Sequence, residues 1–252
     1  MAADGSNPGS VVWQSAYPVI ARNMWRHYGD KAVLRSHWAS LNAWMGWLER
    51  TSDPKTHLSL NGGLSDWVPP GGNGKGPNTP ADECSAFYGL LDTKHMAEMA
   101  EALGESADAA KYNSMLAAGR KAYHSHFFNA TSQQYSSGSQ CSCMMALFIG
   151  AVPAELEATV LKTMVDDIQS SKGLGALPKG SKNHINTGII GTTFMLDTLT
   201  QFGRADVGIA TLLNDSYPSF GHMISQGATT LWEACKNPDA DAFTIRLRLL
   251  PR

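Results

Sequence analysis

The sequence predicts an all-α fold assembled from helix hairpins. Three observations carry that expectation. Apolar residues return at helical spacing along most of the chain, glycine stands just past the ends of several periodic stretches, and those stretches are joined in pairs by short connections. The period-two alternation that signals strands is almost missing.

Residues 12–28 read as the first helix, stopped at Gly29 and Asp30. Residues 31–50 continue with Leu34, Trp38, Leu41, Met45 and Leu48 on one stripe. A long Gly-, Pro- and Asn-rich loop follows over 51–79, and connections of that length are often functional. Residues 81–103 form the next helix, with Gly104 as its C′ residue and Ser106 as cap of a partner that carries Tyr112, Leu116, Gly119, Tyr123 and Phe127. The unit recurs over 140–149, with a partner that Pro153 starts and Leu156, Val160, Met164 and Ile168 continue. It recurs again over 185–202 and 205–213. About eight helices in sequential hairpins fit a solenoid or a closed α/α toroid, and spacing alone does not choose between them.

Bulk properties narrow the function. The 252 residues suit one sizeable core. A net charge of −2 argues against nucleic acid or an anionic membrane as partner. No stretch approaches the ~20 apolar residues of a membrane span, and MAADGSNPGS lacks the features of a signal peptide. Cytoplasm is therefore the default expectation. Four cysteines, Cys84, Cys141, Cys143 and Cys235, are too few for a disulfide scaffold. His124 with His126, and Cys141 with Cys143, sit two apart on helices and point to different faces, so no metal is expected. The GGNGKG run of 71–76 lacks a preceding strand and a following Ser or Thr, so it is not a phosphate loop. No cofactor is expected. His184, just before a helix, either reaches a cleft or sits at the helix start.

Two places hold candidate chemistry. In GATTLWEA (227–234), Thr229 or Thr230 can cap a helix whose first turn holds Glu233. The helix dipole stabilises a carboxylate there, which suits a general base, and Trp232 could wall the site. A plain capping box between Thr230 and Glu233 explains the same spacing. In the long loop, Asp66 and Trp67 pair a carboxylate with an aromatic ring. Such a pair can hold a sugar by stacking and by accepting hydroxyl hydrogen bonds. An Asp turn beside a packed Trp is the alternative.

The order of the motifs resembles the bacterial-type α-L-rhamnosidases. VVWQSAYPVIARNMWRHYGD (11–30), SDWVPP (65–70), LDTKHMAEMAEALGESADAAKY (91–112) and the run INTGIIGTTFMLDTLTQFGRADVGIATLLNDSYPSFGHMISQGATTLWEA (185–234) carry the resemblance. The last block is the most specific. The resemblance implies an α/α six-hairpin toroid, incomplete in this chain, and inverting hydrolysis of terminal α-L-rhamnosyl groups. It implies Glu233 as general base, Trp67 and Trp13 as aromatics of the sugar cleft, and Asp66 and Trp232 as further binding residues. The expected partner is a rhamnose-containing oligosaccharide or glycoside.

Residues 1–10 then form a stub, 11–235 a partial six-hairpin domain, and 236–252 an atypical tail. The family's acid-bearing segment and its downstream Asn-His motif have no counterpart, and KNPDADAFTIRLRLLPR stands in place of the latter. Phe220 replaces the family's usual Trp. The missing helices are expected from another chain segment. A non-catalytic carbohydrate-binding pseudo-enzyme and a helical interaction scaffold are the competing readings.

Overall fold

A computed structural model describes residues 10–70, 79–172, 177 and 179–232. Helices α1 (Val11–Gln14), α2 (Ala16–Tyr28) and α3 (Lys31–Thr51) come first, followed by α4 (Ala81–Leu103) and α5 (Ser106–Phe127). Then come α6 (Gln140–Ile149), α7 (Ala154–Gln169), α8 (Ile189–Gln201), α9 (Ala205–Leu212) and α10 (Phe220–Ser225). The all-α expectation holds among the described residues, apart from one antiparallel pair between β1 (Phe128–Asn129) and β2 (Gln134–Tyr135).

Helix ends follow local chemistry. Gly29, Gly104 and Gly150 close α2, α4 and α6 in the left-handed conformation that only glycine adopts cheaply. The Asp30 and Ser139 side chains accept from Ala32 N and Ser142 N, capping α3 and α6. Ser106 does not cap α5 as expected. It is the first helical residue, after an uncapped Glu105. Pro153 is likewise the N-cap rather than the first turn of α7.

Four hairpins stand side by side: α2/α3, α4/α5, α6/α7 and α8/α9. The first members pack in succession, α2 on α4, α4 on α6 and α6 on α8, and form an inner layer behind which the partners lie. Burial agrees. Helix α6 is buried along nearly its whole circumference, whereas α5 buries one stripe that includes Tyr112, Leu116 and Tyr123. The core fills the space between the layers, with Phe87, Leu90, Met144 and Met195 near its middle. The starts of α4, α6 and α8 each follow a longer irregular connection. No described helix is long and apolar enough to cross a membrane. Exposed apolar side chains gather at Ile20, Met24 and Tyr28 of α2 and at Ile209, Leu212 and Leu213 around α9.

The inner layer also buries carboxyls. Asp92 of α4 accepts from Ser15 Oγ at 2.7 Å and Trp44 Nε1 at 2.8 Å. It thereby ties α3 and α4 to the kink at Ser15 that splits the predicted first helix into α1 and α2. Its Oδ1 has no partner. Burial raises its pKa to about 7. Glu83, completely buried between Tyr123 and Ser142, is also pushed to about 7, mainly by burial.

In the folded chain these two groups hold protons that the unfolded chain releases near pH 4. The stability they contribute is therefore complete below about pH 4 and is lost as pH rises through 7. The melting temperature is expected to fall between pH 5 and pH 8, and Asp92→Asn should flatten that fall. An Asp92→Asn protein with the wild-type slope in a pH series of thermal melts would refute this account.

Candidate functional site

The 65–70 loop, the 184–192 segment and the 216–223 turn meet at the start of α8. Asp66 explains why. It is 2 % exposed, and its two oxygens accept the backbone N–H groups of Gly188 at 2.7 Å and Gly191 at 3.1 Å. It caps α8 from 122 residues away in sequence. Burial raises its pKa to about 6, and the backbone donors oppose that shift. Asp66 is thus turned into the fold and away from the cavity, where the sequence suggested a direct sugar ligand.

The next peptide completes the junction. Ile189 N donates to the Trp67 carbonyl at 2.9 Å. A Cβ on Gly188 would collide with that carbonyl and crowd Asp66 Oδ1, so glycine is required by close backbone approach. Val68 follows with φ +53°, a costly conformation for a β-branched residue, held by the anchored pair before it.

The 184–188 segment has a helical apolar pattern, yet it is extended, and α8 starts at residue 189 rather than 185. Its backbone groups are taken by other elements. His184 N donates to Ile168 O, Gln140 Nε2 donates to His184 O, and Asn186 N donates to Gln140 Oε1. Gln140, at the start of α6, carried no signal in the sequence. Only its complete burial and its three bonds, the third to Asp167, reveal it as a strut.

These segments enclose a cavity of about 250 Å³. Val68 comes from the Asp-Trp loop. Ile185, Thr187, Gly188 and Ile189 come from the strut, Pro218, Ser219, Phe220 and Met223 from the turn, and Leu231 with Trp232 close the wall. The volume lies below the ~300–1,000 Å³ of drug-sized ligand sites and suits one small ring. No charged side chain lines it among the described residues. Several hydroxyls are engaged nearby, as Thr187 Oγ1 meets Thr192 Oγ1 at 2.9 Å and Thr193 donates to Ile189 O.

Trp67 is half-buried beside the cavity, and Trp13, 42 % exposed, meets it edge-on with centroids 6.2 Å apart. Trp232 is in the lining as the sequence suggested. Glu233, and any helix cap that Thr229 or Thr230 would give it, lie outside the described residues or at their edge. Glu83 is sealed in the core, so it is no substitute acid. His124 contacts Tyr135 Oη through Nδ1, and Cys141 and Cys143 are buried core residues.

Comparisons with known proteins agree with this layout. A family model described as the bacterial alpha-L-rhamnosidase 6 hairpin glycosidase domain matches residues 2–241. An alpha-L-rhamnosidase of Streptomyces avermitilis is 29% identical over 225 residues, covering 89% of this chain and 20% of that protein. One of Formosa agariphila is 26% identical over 224 residues, with coverage of 88% and 23%. Among solved structures, an alpha-L-rhamnosidase from Dictyoglumus thermophilum superposes with a TM-score of 0.80 at 29% identity, covering 91% of this chain and 25% of that one. The Streptomyces avermitilis enzyme complexed with L-rhamnose gives 0.74 at 28%, with coverage of 87% and 20%. The chain spans a fifth to a quarter of the length of these relatives.

Gly188→Ala tests the junction. The new methyl group meets rigid backbone, so a loss of about 3 kcal/mol and a melting temperature lower by roughly 6–12 °C are expected. Unchanged thermal melts would show that the loop is not docked there.

Proposed function

The chain belongs to the bacterial alpha-L-rhamnosidase six-hairpin glycosidase family, and from that premise we propose that it forms the rhamnose-binding and base-bearing part of an inverting α-L-rhamnosidase. One observation supports this reading most. The Asp-Trp loop, the TGIIGT segment, the YPSFG turn and the start of LWE are far apart in sequence and carry the resemblance, and they line or border one cavity.

In this reading a rhamnosyl ring enters the cavity and packs against Phe220, Met223 and Trp232. Trp67 and Trp13 form an aromatic rim at its side. Asp66 acts indirectly, by fixing the loop that carries Trp67. Glu233, which directly follows Trp232, takes a proton from water, and that water attacks the anomeric carbon from the face opposite the leaving group. A second carboxylic acid protonates the glycosidic oxygen, and in inverting enzymes it stands ~6.5–9.5 Å from the base. That acid is assigned to a segment beyond those matched here. A rhamnose-containing oligosaccharide or glycoside is the proposed substrate class.

Titration with L-rhamnose and turnover of p-nitrophenyl α-L-rhamnoside test the proposal together. Saturable binding is expected, and Glu233→Gln should lower kcat by ~10²–10⁴-fold while leaving rhamnose affinity in place. Binding with no turnover in either protein would favour the non-catalytic carbohydrate-binding reading. No binding at all would remove the sugar site and leave a helical scaffold.

A further inference from the structure

His184 is 5 % exposed and stands where the strut meets the turn. Its backbone belongs to the fixed side, held by Ile168 O and Gln140 Nε2. Its ring reaches across 34 residues of sequence to the other side, with Nδ1 at 2.9 Å from the Pro218 carbonyl. A carbonyl only accepts, so Nδ1 carries the hydrogen. The far edge of the ring, Nε2, lies 3.3 Å from Ser216 Oγ.

Asn214 reinforces the same crossing. Its Nδ2 donates to the carbonyls of Lys182 at 3.0 Å and Asn183 at 2.9 Å, and lies 3.3–3.4 Å from both ring nitrogens. Its Oδ1 accepts from the backbone N–H and hydroxyl of Ser216. The two residues together join 182–184 to 214–218, immediately before the cavity-lining residues of each segment.

We propose that His184 is a positioning residue for the cavity: through the Nδ1–H bond to Pro218 it sets where Pro218, Phe220 and Met223 stand relative to Thr187 and Gly188. It touches no ligand itself and is absent from the cavity lining. The assignment of a sugar to the cavity rests on the function proposed above, whereas the clasp is a statement about two wall segments.

Three variants of the full chain separate the ideas. His184→Asn places an amide N–H near the position of Nδ1 and keeps the bond. His184→Gln displaces that amide by one carbon, and His184→Leu removes the donor. With methyl-labelled methionine, the Met223 resonance is expected to move in the Leu and Gln variants and to return towards wild type in the Asn variant. Amide exchange over 216–222 should quicken in the same order, while the core methyl of Met145 stays in place.

L-rhamnose affinity should fall roughly tenfold or more in the Gln and Leu variants, because small displacements of positioning groups are costly, and Asn should restore it. If the Leu variant fails to fold, the Asn–Gln pair alone decides. A Met223 signal and exchange rates unaffected by Gln, or Asn behaving like Gln, would overturn the clasp. A wild-type chain that ignores L-rhamnose while the Met223 and exchange effects appear would instead overturn the sugar reading.

Discussion

A buried carboxylate that caps a helix from a distant loop organises this site. The start of α8 has backbone N–H groups without partners inside the helix, and Asp66 supplies acceptors for two of them. Losing those acceptors would leave buried donors unsatisfied, at a cost of about 1–3 kcal/mol each. The same contact requires Gly188, positions Trp67 and Val68, and fixes one wall of the cavity. The sugar-facing aromatic and the helix it leans on are therefore one mechanical unit.

The hairpins give that unit a rigid base. Gln140 at the start of α6 holds the strut in its extended form, and α7 contributes Ile168 O and Asp167 to the same polar cluster. Three consecutive inner elements thus meet the strut at one end of the layer. Apolar burial between the layers supplies bulk cohesion, while a small number of satisfied polar groups fixes the shape at that end.

The helices were legible because their apolar residues repeat at 3.6 spacing and glycines sit at their ends. The long Asp-Trp loop was legible from its Gly and Pro content. Details set by distant partners were not legible. Nothing near Ser15 announces a break, because its partner Asp92 lies 77 residues away. Residues 185–188 look helical, because the groups that hold them extended belong to α6, α7 and the 65–70 loop. Helix α10 has six residues, too few to display a period. Asp66 was singled out from its neighbour Trp67 for the wrong contact. Its type and place signalled a site, but only the fold showed that it faces backbone amides.

The separation between Asp66 and its amides has a consequence for assembly. A contact spanning more than 120 residues cannot form until the intervening hairpins have stacked, because the closure entropy of so large a loop must already have been met by other contacts. The cavity is thus a late product of folding. For the same reason it is an early casualty of partial opening: undocking of the 65–70 loop exposes the start of α8 while the interlayer core stays closed. Recognition in this protein is held at a lower local stability than the scaffold that carries it.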